Sequence, residues 1–193
     1  MITPYSQTLW SKKIARLTIH SVQSAPDASR ARVENALKIN GFLPNLIGVL
    51  ANAPQALETY QEVGKINNGT SLSSAEREVV QITAAKLNGC AFCFAGHSKV
   101  SSLKKLFSPD ELENIRNLTT LNNHQFNALA NFTKAVILQK GNVSDDELQA
   151  FFDAGYTEQA ALEVVLGVSL ATLCNYANNL ARTEINPELQ AFA

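Results

Sequence analysis

Helix start signals recur in this sequence, and they constrain its fold more than any other feature. Ser73 is followed by Glu76, Ser108 by Glu111 and Ser144 by Glu147. In this spacing a hydroxyl and a carboxylate satisfy free backbone N–H groups in the first turn of a helix. Pro109 falls at the first helical position of the second box, where a missing N–H is harmless. Gly41, Gly69, Gly89, Gly141 and Gly155 each follow an apolar-periodic stretch and read as left-handed helix ends. No segment alternates apolar and polar residues between hairpin turns, so no strand is expected. The pattern predicts an all-α, compact multi-helix bundle. Its helices run over about 8–20, 28–39, 44–52, 54–67, 74–88, 90–106, 109–118, 124–140, 145–154 and 158–181. Pro44 is expected to open the helix after the Gly41 turn, and the tail from Thr183 to Ala193 reads as irregular or free to pack on a neighbouring subunit.

With 46% hydrophobic residues in 193, the chain can bury a core without staples, as a single all-helical domain over 1–193. Its 16 basic and 17 acidic residues form no long run of one sign. Nothing in the charge therefore argues for nucleic acid or an anionic membrane, and a small molecule or a protein is the expected partner. No apolar run approaches the roughly 20 residues of a membrane span. The start, Met1 to Gln7, lacks the apolar region of a signal peptide, so a cytoplasmic protein is expected. Lys12, Lys13, Arg16 and His20 precede the first acidic residue, Asp27, and are read as part of an ordinary first helix rather than a transit peptide.

Chemistry concentrates in Glu78 to His97. Cys90 and Cys93 form a Cys-x-x-Cys pair, His97 follows four residues later, and Glu78 precedes the pair by twelve. If the segment is helical from Cys90 onward, Cys90, Cys93 and His97 share one face. A sulfur at the helix start meets unpaired N–H groups and the positive end of the macrodipole, which favours thiolate over thiol. The turn at Asn88-Gly89 would fold this helix back on the preceding one. Glu78, beside Val79 and Val80, could then pair with His97. Three cysteines do not make a disulfide framework, so a reducing compartment fits. Cys174 lies in an apolar helical run and reads as a core residue, while His20 and His124 show no local partners. Zinc is the chemical competitor for Cys90, Cys93, His97 and Glu78, but a second knuckle of cysteines or histidines is lacking. No metal and no cofactor are expected.

From Leu72 to Glu78 and from Gly89 to Ser98, the sequence resembles the core of the alkylhydroperoxidase D-like, carboxymuconolactone decarboxylase-like superfamily. A looser likeness extends from Gly41-Phe42-Leu43-Pro44-Asn45 to Asn175-Tyr176-Ala177-Asn178-Asn179, with the redox core at roughly 44–140. The resemblance implies an all-helical fold assembled as homo-oligomers, trimers or hexamers. It also implies a disulfide-forming pair, Cys90 and Cys93, served by a proton relay of Glu78 and His97. Where some peroxidase members have a histidine before the second cysteine, this chain has Phe92, which removes a polar group. The decarboxylase branch generally lacks the cysteine pair.

The expected activity is a thiol-dependent hydroperoxidase or disulfide reductase, recycled by an external dithiol or thiol protein. Cys93 is the favoured attacking thiolate because His97 lies at i+4, and Cys90 would condense with the resulting sulfenic acid. The reverse order stays open, since Cys90 is nearer the helix N-terminus. The alternatives are a decarboxylase-like lyase using His97 and Glu78 alone, and a non-enzymatic redox-responsive interaction protein.

Overall fold

The computed structural model describes residues 15–193. These residues form nine α-helices, a C-terminal 3₁₀ helix and no strand. The helices are α1 Asp27–Asn40, α2 Asn45–Leu50, α3 Pro54–Asn68, α4 Ser74–Leu87, α5 Ala91–Leu103, α6 Pro109–Asn117, α7 His124–Leu138, α8 Asp145–Asp153 and α9 Glu158–Ala181, and the 3₁₀ helix is Pro187–Phe192. Reciprocal capping boxes open α4 at Ser73/Glu76 and α8 at Ser144/Glu147. At α6, Ser108 accepts the Glu111 N–H and Pro109 occupies the first turn.

α4 is the central helix. Seven consecutive residues, Val79 to Ala85, are buried, so nearly its whole circumference faces protein. It packs against α5, α6, α7 and α9. Val79, Val80 and Ile82 enter one apolar cluster, where Phe151 stacks between Phe132 and Tyr156. Ala85 enters a second cluster, which holds Leu46, Leu50 and Leu57 together with all three cysteines. Burying each of the Val, Ile and Leu side chains named here contributes about 1.5–3 kcal/mol.

Several expectations need correction. The first expected helix, 8–20, lies partly outside the described residues, as do Lys12 and Lys13; residues 15–20 are not helical. Their backbone donors go to other elements instead: Arg16 N–H to Ala181 O (2.8 Å) and His20 N–H to Gly48 O (3.1 Å). His20 also has side-chain partners, Ser24 Oγ at 3.3 Å and Asn52 Oδ1 at 3.2 Å. Pro44 is extended and precedes α2 rather than starting it. Gly69 ends α3 with φ −92°, a right-handed close, because its N–H reaches back to Ile66 O at 2.9 Å. The tail is ordered on its own chain. Leu189 is buried beside the cysteines, and Arg116 Nη1, which also donates to Ser98 Oγ (2.6 Å), holds Phe192 O at 2.9 Å. Finally, α9 does reach the length and apolar composition of a membrane span. It is nonetheless the longest packing element here, touching α2, α3, α4, α5 and α7 and burying Asn175 and Asn178.

The close approach of residues 19–20 to α2 depends on Gly48. A Cβ there would sit 2.6 Å from His20 O and 2.9 Å from Ile19 Cγ2. Gly48→Ala is expected to destabilise the protein by about 1–3 kcal/mol. Gly64→Ala in α3, where a Cβ meets nothing within 4 Å, should stabilise it by about 0.5–1 kcal/mol. Thermal melts of the two variants check both signs.

Candidate thiol site

The site is built by the turn between α4 and α5. Asn88 ends α4 and Gly89 adopts a left-handed conformation (φ 64°), after which Cys90 N–H bonds back to Ala85 O at 2.9 Å. Cys90 is therefore the N-cap of α5, extended at φ −93°, ψ 92°, and not part of the helix. Its sulfur accepts the Cys93 backbone N–H at 3.4 Å, in the place a serine or aspartate oxygen takes at an ordinary cap. Cys93 and His97 lie on the helix that follows.

Across this turn, Glu78 of α4 meets His97 of α5, with Oε2 2.7 Å from Nδ1. Their side chains are 14% and 32% exposed, so the pair sits at the edge of the buried site rather than inside it. Among the described residues, no three His, Cys, Asp or Glu side chains converge as a metal-holding group. Cys90 and Cys93 are free thiols, 1% and 5% exposed.

The two thiols are driven in opposite directions. A hydrogen bond from the Cys93 thiol is the largest influence on Cys90. With the backbone N–H groups of Cys93 and Phe92 and the Asn178 amide, it outweighs burial and lowers the Cys90 pKa to about 7. Cys93 is pushed up, first by its bond to Cys90, then by burial and by the charges of Cys90 and Cys174. Of the two orders left open by the sequence, these influences favour charge on Cys90, the helix-start sulfur, over Cys93. Burial works against a charged His97, but the Glu78 carboxylate, by charge and hydrogen bond, and the Cys90 charge raise its pKa above the ordinary 6.5.

The sequence did not reveal what α9 brings. Cys174 is buried in the cluster that holds Cys90 and Cys93, and burial pushes its pKa up to about 12. One turn further, Asn178 Nδ2 lies 3.3 Å from Cys93 Sγ. Asn175 also acts on Cys93 and accepts Asn88 Nδ2 at 3.0 Å. Asn179 Nδ2 donates to Asn88 O at 2.7 Å, tying α9 to the turn before Cys90. Two asparagines three apart on the buried side of an apolar helix were the available signal.

Residues 54–123 match the Carboxymuconolactone decarboxylase family. No curated protein matches the sequence. Among solved structures, the chain is similar to the alkylhydroperoxidase AhpD core of an uncharacterized peroxidase-related protein from Ralstonia eutropha JMP134. That match has a TM-score of 0.80 at 20% identity and covers 91% of this chain and 94% of that one. A peroxidase-related protein from Silicibacter sp. TM1040 matches with a TM-score of 0.76 at 15% identity, over 93% and 97% of the two chains. The debrominase Bmp8, solved in complex with 2,3,4-tribromopyrrole, matches with a TM-score of 0.75 at 16% identity, over 93% and 96%. The matched segment contains Glu78, Cys90, Cys93 and His97, and the helical arrangement is shared over nearly the whole chain. A segment of the chain, residues 54–123, is thus similar to the carboxymuconolactone decarboxylase family, and the fold of the whole is the one seen in the alkylhydroperoxidase AhpD core structure.

Because the raised His97 pKa depends on Glu78, an NMR titration of His97 should give a midpoint above 6.5 in the native protein, and Glu78→Gln should move it downward. Stability follows the same sign. The contribution of the pair is full below about pH 6.5, the unfolded value, and is lost as pH rises through the folded pKa. The stability gap between native and Glu78→Gln proteins should therefore narrow toward alkaline pH.

Proposed function

We propose that the protein is a thiol-dependent hydroperoxidase in which Cys90 attacks, Cys93 resolves and His97 supplies a proton. The observation that carries this reading is Cys90 at the N-cap of α5, with a lowered pKa, a second thiol against it and a carboxylate-held imidazole alongside. The Cys90 thiolate attacks the terminal oxygen of the peroxide, forming an S–O bond as the O–O bond breaks. The departing alkoxide takes the His97 proton and leaves as an alcohol. Cys93 sulfur then attacks Cys90 Sγ, an S–S bond replaces the S–O bond, and the hydroxide leaves as water with the Cys93 proton. Glu78 holds the imidazole and favours its recharging. An external dithiol or thiol protein reopens the disulfide by two exchanges, in a reducing compartment such as the cytoplasm. His97 is the most exposed group of the set, so peroxide approaches along its side.

The reading includes a homo-oligomer, trimer or hexamer. Leu162, Val165, Tyr176 and Leu180 lie exposed along α9, with Ile66 exposed on α3, which packs against α9. A stripe of this kind on one helix is what a second copy of the chain would cover. Light scattering at micromolar concentration should report an assembly, and Leu162→Glu with Tyr176→Glu should dissociate it. A native monomer would contradict this part.

Peroxide consumption with a dithiol donor should be abolished by Cys90→Ser. Cys93→Ser should instead leave a Cys90 sulfenic acid that a cyclic dione traps. His97→Ala should slow turnover by about 10²–10⁴-fold with the fold intact. A reaction that survives loss of both cysteines would instead favour lyase chemistry at His97 and Glu78.

A further inference from the structure

Asn178, which helps to lower the Cys90 pKa, also reaches the second thiol, where it has no role in the proposed reaction. Asn178 is 3% exposed, and its carboxamide is only half satisfied: Nδ2 reaches Cys93 Sγ at 3.3 Å, while Oδ1 is buried with no hydrogen-bond partner. Buried polar atoms in folded proteins are nearly always paired, so an orphan acceptor against a reacting atom asks for an explanation. Packing does not provide one. The neighbours on this side of α9 include Leu170, Ala171, Cys174 and Ala181, and an apolar residue among them would leave no unpaired oxygen.

Resting on the reading of Cys90 and Cys93 as a redox pair, we propose that Asn178 is a catalytic residue whose carboxamide holds negative charge on Cys93 Sγ each time the disulfide closes or opens. Both directions pass through that charge. On closing, Cys93 gives up its proton, its sulfur bonds to Cys90 Sγ, and the hydroxyl on Cys90 leaves as water with that proton. On opening, an external dithiol's thiolate bonds to Cys90 Sγ, the S–S bond breaks, and Cys93 leaves as a thiolate. The external dithiol's second thiol then displaces the first from Cys90, so the dithiol is oxidised as the pair is reduced.

Cys93 is poorly placed to carry charge unaided, being 5% exposed, off the helix start and next to a sulfur that takes the charge first. An N–H donor at its sulfur is the direct remedy. A primary amide suits both protonation states: Nδ2–H donates to the thiolate, and a half-turn of the group offers Oδ1 to the S–H of the thiol. Asn175, held by Asn88 at 3.0 Å, supports the same sulfur from one turn earlier. The contact spans α5 and α9, residues 85 apart in sequence.

The test places Asn178→Leu, which keeps the branching at Cγ but removes both polar atoms, and Asn178→Asp, which keeps shape, in a Cys90→Ser background. The readout is the pH profile of Cys93 alkylation by iodoacetamide, followed by mass mapping of that residue. Both variants should shift the Cys93 half-point upward by about one pH unit or more, a tenfold or greater slowing at fixed pH, with helical content unchanged by circular dichroism. With both cysteines present, dithiothreitol should open the disulfide about tenfold more slowly in either variant. An unchanged Cys93 profile in the folded variants overturns the proposal. Neither readout uses peroxide. A protein inert toward peroxides but showing the shift would sink the peroxidase reading and keep Asn178; an active peroxidase with no shift would do the opposite.

Discussion

The reversal of the chain at Asn88-Gly89 is the constraint on which the site depends. Gly89 sits at φ 64°, where a side chain would be strained even though a Cβ would meet nothing within 4 Å, so the requirement lies in the backbone angle and not in space. That single left-handed residue closes α4 and releases Cys90 at the head of α5. It also lays α5 back along α4, so that Glu78, nearly three turns before the end of one helix, faces His97 in the second turn of the next. The turn is gripped from a third side, since the Asn88 amide and carbonyl are bonded by Asn175 and Asn179 of α9. Thiols and imidazole from α5, carboxylate from α4 and amide from α9 are thus fixed to one bend.

The electrostatics follow from that placement. Two thiols one helical turn apart in an apolar cluster cannot both ionise; the bond between them favours charge on one sulfur, and the backbone N–H groups add to that bias toward Cys90. Cys90 faces the free N–H groups of the α5 start; Cys93, one turn inside, faces protein. In the proposed reaction, one sulfur attacks while the other stays protonated until the disulfide forms. Opposite them, the Glu78 carboxylate keeps His97 inclined to hold a proton, which suits an acid toward a leaving oxygen. The solved relatives, at 15–20% identity, share the helical arrangement, and one of them is a debrominase, so the frame itself does not dictate a substrate.

Much of this was readable from the sequence because it is local. The Ser73 and Ser144 boxes and the Gly41, Gly89, Gly141 and Gly155 stops depend on three or four neighbouring residues, and they place most helix ends within a few positions. The Glu78–His97 pair was accessible because one short turn joins the two helices. What stayed hidden depends on distant partners. The segment 15–20 carries residues that suit a helix, but its donors bond to Gly48 and Ala181. The tail looked free because the Arg116 that holds Phe192 lies 76 residues earlier. Asn178 and Cys174 read as ordinary residues of an apolar helix, since their sulfur neighbours belong to another element. The order of the thiols stayed open in the sequence because it turns on which sulfur caps the helix, a point that spacing alone does not fix.

The central claim is that reduced Cys90, not Cys93, carries the thiolate. Limited alkylation of the reduced native protein from about pH 5 to about pH 9, with each cysteine quantified by peptide mass mapping, tests it directly. The account predicts that label accumulates first on Cys90 along a profile with its half-point at about 7, while Cys93 and Cys174 remain largely unlabelled. Label arriving first on Cys93, or a Cys90 profile centred at the ordinary thiol value of about 8.5, would contradict it.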